Sequence, residues 1–104
     1  MKQQGKIKES DIQSAILQYL NLKHIFHYRN NTGAFRTERG GFYKFGEVGS
    51  PDIICVVRGR FIGIECKTPT GKLNDNQLDF KERLEEAGGM YVVARSLDDI
   101  SNIL

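Results

Sequence analysis

Asp52, Glu65 and Lys67 are two acids and a base of the types that gather around a divalent cation, and their spacing brings them together. They lie in two runs rich in β-branched residues, DIICVV (52–57) and RFIGIECK (60–67), separated only by Arg58-Gly59. That separation predicts a hairpin with a two-residue turn. In this register Val57 faces Arg60, and counting back along both strands sets Asp52 opposite Glu65. Directly opposed residues share a face, with Cβ atoms about 4.5–5.5 Å apart. Lys67 is two residues beyond Glu65 and falls on the same face. A three-residue turn would shift the register by one and remove the opposition, so the turn type decides.

Opposed carboxylates repel and destabilise a hairpin unless positive charge sits between them. Magnesium is a natural occupant. It prefers oxygen, accepts one or two carboxylates and keeps several waters. Water and phosphate oxygens then fill its remaining positions, as hydrolysis of a phosphodiester requires. Such a cation lowers the pKa of a bound water and polarises the phosphoryl oxygen. Lys67 is suited to steady the attacking hydroxide or the charge developing on phosphorus. The bland alternative is a surface hairpin in which Lys67 makes an ordinary exposed ion pair with Glu65 or Asp52, worth little. Three features weigh against it. Ile53, Ile54, Ile62 and Ile64 make this a core hairpin, where purposeless charge is costly. Pro51 limits pairing at the Asp52 end and leaves it open. The lysine follows Glu65 with one residue between.

These residues need a sheet and helices to hold them. Residues 9–22 read as a helix, with Ile12, Ala15, Ile16, Tyr19 and Leu20 on one face and Ser10 with Gln13 as a capping box. Residues 24–29 read as a short strand. The stretch 30–50 reads as a loop or irregular hairpin with FYKF (42–45) as its strand-like piece. After the central hairpin, Asn74 to Ala87 reads as a second helix, capped by Asn74 and stopped by Gly88-Gly89. Its apolar stripe is Leu78, Leu84 and Ala87, with Phe80 beside it. MYVVAR (90–95) reads as a buried strand parallel to a neighbour. Ser96 to Leu104 reads as a short closing helix capped by Ser96. The fold class is therefore α/β, a mixed central β-sheet flanked by helices. A length of 104 residues predicts a single domain over 1–104.

Composition adds less. The net charge of +2 is a weak nucleic-acid signal, but its distribution is uneven. Arg29, Arg36, Arg39 and Lys44 stand against Glu38 alone in their segment. With Asn30, Asn31 and Thr32 they suit a phosphate-contacting surface; the plainer reading is a solvated loop. Phe35 and Phe42 flank this segment and suit either a wedge at an unpaired site or, preferred here, core or dimer packing. His24 and His27, three apart on a strand, would face opposite sides and share no metal. Cys55 and Cys66 have no metal-ligand spacing and read as reduced, buried thiols. No apolar run approaches a membrane span, and MKQQGKIKES carries no apolar secretory core. An intracellular (cytoplasmic) protein is expected.

The set Gly49-Ser50-Pro51-Asp52, twelve intervening residues, then Glu65-Cys66-Lys67 resembles the signature of the PD-(D/E)XK nuclease superfamily. The fuller arrangement is similar to the VRR-NUC family: a leading helix bearing an acid, a Gly-rich basic loop, the hairpin, and a Gln early in the next helix. The likeness covers roughly residues 8–100. It implies a restriction-endonuclease-like core. It further implies that Asp52 and Glu65 are metal ligands, joined by the backbone carbonyl of Cys66, and that Lys67 is the catalytic lysine. Glu9 matches the leading-helix acid that completes the metal site; otherwise it is a favourable charge near a helix N-terminus. Gln77 matches the helix glutamine, though Asn74-x-x-Gln77 is equally a capping box. Arg29, Asn30, Asn31, Arg36, Arg39 and Lys44 are the expected DNA-binding residues. The resemblance to stand-alone VRR-NUC proteins and archaeal Holliday junction resolvases implies a homodimeric endonuclease using Mg²⁺ or Mn²⁺ on branched DNA. The competing readings are a general or restriction-like duplex nuclease and a non-catalytic DNA-binding module of the same fold.

Overall fold

The computed structural model describes residues 7–31 and 33–104, and all their side chains except those of Phe35, Lys44 and Phe45. Thr32, and the side-chain roles expected of Phe35 and Lys44, lie outside the described residues. Helix α1 spans Glu9–Leu22, and Ile12, Ile16 and Leu20 form its buried stripe at every fourth residue. The capping box expected of Ser10 and Gln13 does not form. The helix begins at Glu9, as expected, so the cap falls on Lys8, two residues before Ser10, which makes no side-chain bond there. Ser10 is therefore inside the first turn, past the position from which a hydroxyl can cap. At the other end His24 takes the left-handed conformation at φ 56°. Its N–H reaches the Asn21 carbonyl and that of Ile25 reaches the Leu20 carbonyl, both at 3.1 Å, a Schellman closure. This turn removes His24 and Ile25 from the strand expected over 24–29, leaving β1 as His27–Arg29.

β2 (Gly33–Arg36) and β3 (Phe42–Phe45) pair antiparallel as a separate two-stranded sheet. The FYKF strand was expected; its partner GAFR was not, because it has neither alternation nor β-branched residues. The main sheet adds β4 (Ile53–Val57), β5 (Arg60–Cys66) and β6 (Met90–Ala94) in the order β1-β4-β5-β6. β6 runs parallel to β5 and the other pairs are antiparallel. The crossover between β5 and β6 is α2 (Asp75–Glu86), and α3 (Asp98–Ser101) closes the chain. Asn74 caps α2 in a complete capping box with Gln77. Ser96 does not cap α3. Leu97 holds that position, and the Asp99 carboxylate reaches back to accept the Arg95 N–H at 2.8 Å.

Alternation along the strands divides the sheet into two faces. Ile53, Cys55, Ile62, Ile64, Cys66 and Ala94 join Ile12, Ile16, Leu20 and Ile100 in one buried cluster beneath α1 and α3. Truncating a fully buried member such as Ile16 or Ile64 to Ala is expected to cost about 2–5 kcal/mol. On the opposite face Phe80 of α2 packs against Tyr91, ring centroids 6.3 Å apart. No residue of α2 is buried, although Ile54, Glu65 and Tyr91 of the sheet face it covers are. Among the described residues no helix is long and apolar enough to cross a membrane.

Candidate active site

The turn of the central hairpin is the two-residue kind. Arg58 and Gly59 both have positive φ, 52° and 80°, the type I′ pattern. Val57 pairs with Arg60, and the ladder continues to Ile53 opposite Ile64. One more step puts Asp52 level with Glu65. At that step a side chain takes over from the backbone ladder: Asp52 Oδ2 accepts the Cys66 N–H at 2.8 Å.

The segment carrying Asp52 is tied down from three sides. The Asn30 N–H donates to the Asp52 carbonyl at 2.7 Å. The Asn30 amide donates to Ser50 Oγ at 2.8 Å and to the Pro51 carbonyl at 2.9 Å. Gly49, at φ 81°, lies so close to α2 that a Cβ there would stand 2.2 Å from the Asn76 carbonyl oxygen. Gly63 likewise leaves the room that Pro51 fills, since a Cβ there would meet Pro51 Cγ at 2.4 Å. The glycines thus permit close approaches that bring loop, helix and hairpin to one point.

Glu65 is a buried acid, only 3% exposed. Burial first, and the neighbouring Asp52 second, push its carboxyl up to about 8. Lys67 and the Tyr91 hydroxyl act in the other direction. Tyr91 donates to Glu65 Oε1 at 3.4 Å, and its own hydroxyl is held well above the usual range by burial and then by Glu65. Burial, followed by Asp52, Glu65 and Glu9, pushes the Cys66 thiol up to about 12; burial pushes that of Cys55 to about 11. Both cysteines are free and buried, and thiols so hard to ionise are poor nucleophiles.

Lys67 is half-buried, and among the described residues it joins no ion pair; the pairs present are Lys81–Glu85, Arg83–Glu47 and Arg83–Asp79. The exposed ion pair considered for Lys67 is therefore not what the hairpin makes. The loop after Lys67 is held by Arg95, whose Nη1 donates to the carbonyls of Thr68 and Gly71, both at 2.7 Å. Arg95 and Tyr91 were not singled out in the sequence. Both bond to partners more than twenty residues away, which leaves no local pattern to read.

The other expected residues are less closely gathered. Glu9 is exposed in the first turn of α1, near enough for its charge to act on Cys66. Among the described residues no group of three His, Cys, Asp or Glu side chains stands together as a metal cage. Gln77 Oε1 accepts the Asn74 N–H at 2.9 Å, so this oxygen serves the capping box. The amide hydrogens of Asn30 are engaged internally, whereas Arg29, Asn31, Arg36 and Arg39 are exposed. His24 and His27 are separated by the helix closure, and His27 Nδ1 donates to the Ile25 carbonyl at 2.7 Å.

Comparison with known proteins agrees with this geometry. The VRR-NUC domain profile matches residues 7–98. No curated protein matches the chain. Among solved structures, one described as a VRR_NUC domain protein superposes with a TM-score of 0.64 at 19% identity. That superposition covers 95% of this chain and 86% of the other and speaks for a shared fold. Because the profile spans nearly the whole chain and meets the hairpin of Asp52, Glu65 and Lys67 in place, the chain belongs to the VRR-NUC family of nuclease-type domains.

Proposed function

We infer that this protein is a metal-dependent DNA endonuclease acting on branched DNA such as Holliday junctions, as a homodimer. The observation that carries the hydrolytic reading is the acid pair. Asp52 and Glu65 meet at the open end of a core hairpin, with Lys67 just past the end of β5 and, among the described residues, in no ion pair. Evolving a buried acid beside a second acid is costly unless a cation is to be held there. The donor set fits Mg²⁺ or Mn²⁺: two carboxylates from the protein, with the Cys66 carbonyl and Glu9 available as further oxygen ligands. When bound, the cation supplies Lewis-acid polarisation of the phosphate and a more acidic water.

The chain's own residues do the rest. Asp52 is aimed by the Cys66 N–H and by the Asn30 staple. Tyr91 orients the Glu65 carboxyl. Lys67 holds positive charge beside the scissile phosphate and balances the charge that grows on it. Gln77, at the start of α2, keeps its amide nitrogen for a substrate or water oxygen. Arg29, Arg36, Arg39 and Lys44 neutralise the flanking phosphates, Asn31 adds a hydrogen bond to them, and Asn30 shapes the loop between them. A chain this small has little surface for reading base edges, which favours recognition of DNA shape.

The test is cleavage of a labelled four-way junction, flap, linear duplex and single strand with Mg²⁺ or Mn²⁺, alongside Asp52→Ala and Lys67→Ala. The reading expects paired cuts in the junction, with each variant binding it yet cutting about 10²–10³-fold more slowly or worse. Equal cutting of linear duplex would favour a general nuclease. Binding without cutting under either metal would leave a DNA-binding module.

A further inference from the structure

The ribbon of β2 and β3 forms a sheet of its own. An isolated two-stranded ribbon is marginal in water, yet this one turns a large apolar ring outward: Phe42 is 67% exposed. Arg36 is its direct cross-strand neighbour, and the guanidinium stands over the ring, 5.4 Å from the centroid. That contact steadies the ring and sets positive charge beside it. Arg39 is exposed near the ribbon's tip, and Lys44 follows two residues after Phe42 in the same strand. Both feet of the ribbon are bound to the active site. Asn30 on the entering side bonds to Ser50, Pro51 and Asp52 on the leaving side. Whatever the ribbon grips is therefore delivered next to Asp52.

We propose that Phe42, backed by Arg36, is a stacking subsite for an unpaired base, through which the ribbon engages DNA where the duplex is interrupted. This rests on the nuclease reading above and names the feature of DNA that the site selects. A phenyl ring has no donor or acceptor with which to read base edges in a groove. It does offer a π-face, and every unpaired base offers one in return. Bases inside a continuous duplex are already stacked and present none. The arginines supply the accompanying contacts to phosphate.

The chain contains no tryptophan, so Phe42→Trp supplies a single fluorescent reporter at the subsite. Binding is measured without divalent metal, on a gapped duplex, a flap and a continuous duplex of equal length. The fluorescence of Phe42→Trp is expected to be quenched by the gap and the flap and not by the continuous duplex. Phe42→Ala should weaken binding to gapped DNA about tenfold or more and leave the continuous duplex unchanged, and Phe42→Tyr should restore the preference. Equal quenching by continuous duplex, or equal loss on all three DNAs, overturns the proposal. So does a Phe42→Ala protein that changes from dimer to monomer in sedimentation while keeping its preference, since the ring would then cover a second copy. Because these readings need no cutting, they are separable from the cleavage assay. Absent cleavage with the preference intact counts against the nuclease reading alone; lost preference with cleavage intact counts against the stacking subsite alone.

Discussion

Glu65 is the residue whose chemistry is most altered by where the fold puts it. Buried beside Asp52, its carboxyl titrates at about 8 instead of its usual 4.5. Between those two pH values the native state binds one more proton than the unfolded chain. The stabilisation from this proton is fully present below about pH 4.5 and is lost as pH rises through about 8. Metal-free protein should therefore lose stability over that window, by a few kcal/mol in order of magnitude. Glu65→Gln should flatten the profile and be the more stable protein at pH 8. Chemical denaturation of both proteins across pH 5–9 checks this, and parallel profiles would show that Glu65 ionises freely in the fold. A divalent cation supplies another way to relieve the repulsion, so added Mg²⁺ or Mn²⁺ should raise the melting temperature of the parent at pH 8 and that of Glu65→Gln much less. How the three candidate residues group was legible from the sequence because hairpin register is simple arithmetic once the turn is known. The residues that aim them were not. Asn30 and Arg95 act on distant backbone carbonyls, and Tyr91 sits in an apolar run that reads as plain core.

At the scale of elements, periodicity made α1, α2, the central hairpin and the parallel β6 readable, while the irregular joints were not. The Schellman closure at His24 needs a left-handed backbone that a non-glycine residue adopts only under tertiary pressure, and the strand GAFR exists through its pairing with FYKF and not through its own pattern. These joints carry their own predictions. His24 is a non-glycine residue in left-handed backbone at φ 56°, so His24→Gly should stabilise the protein by about 1 kcal/mol in thermal unfolding. A decrease would mean that the His24 side chain makes a contribution larger than the backbone strain. The seat of Asp52 predicts a coupling. Gly63→Ala puts a Cβ 2.4 Å from Pro51 Cγ and should cost about 1–3 kcal/mol as overpacking. Pro51→Ala removes the atom in the way, so Gly63→Ala should cost less in that background, with an interaction of about 1 kcal/mol in the double-mutant cycle. Additive effects would mean that the loop does not rest on β5. Activity should track the cycle, because the same contact positions Asp52.

As a whole molecule the protein is flat. Its extents are 48 × 46 × 25 Å, and its radius of gyration is 15.4 Å, against about 13 Å for a compact chain of this length. One face of the sheet is closed by α1, while Phe26 and Tyr28, on and beside edge strand β1, are 67% and 51% exposed. On the proposed function, one domain with a single set of carboxylates would cut one strand at a time. A four-way junction is symmetric, and severing it cleanly needs two cuts on opposed strands. Two copies related by a two-fold axis would present two sites with the matching symmetry. The proposed homodimer therefore predicts more than a mass of two chains in sedimentation at micromolar concentration. On a supercoiled plasmid carrying an extruded cruciform, both cuts should fall within one binding event, so linear product should appear without prior accumulation of nicked circles. Diluting the protein below its dimer dissociation range should abolish cutting of both strands together. A monomer would nick once and leave. The first nick releases the supercoiling and reabsorbs the cruciform, so nicked circles would accumulate and never become linear, and the two-fold account of junction cleavage would fall while the chemistry of the hairpin stood.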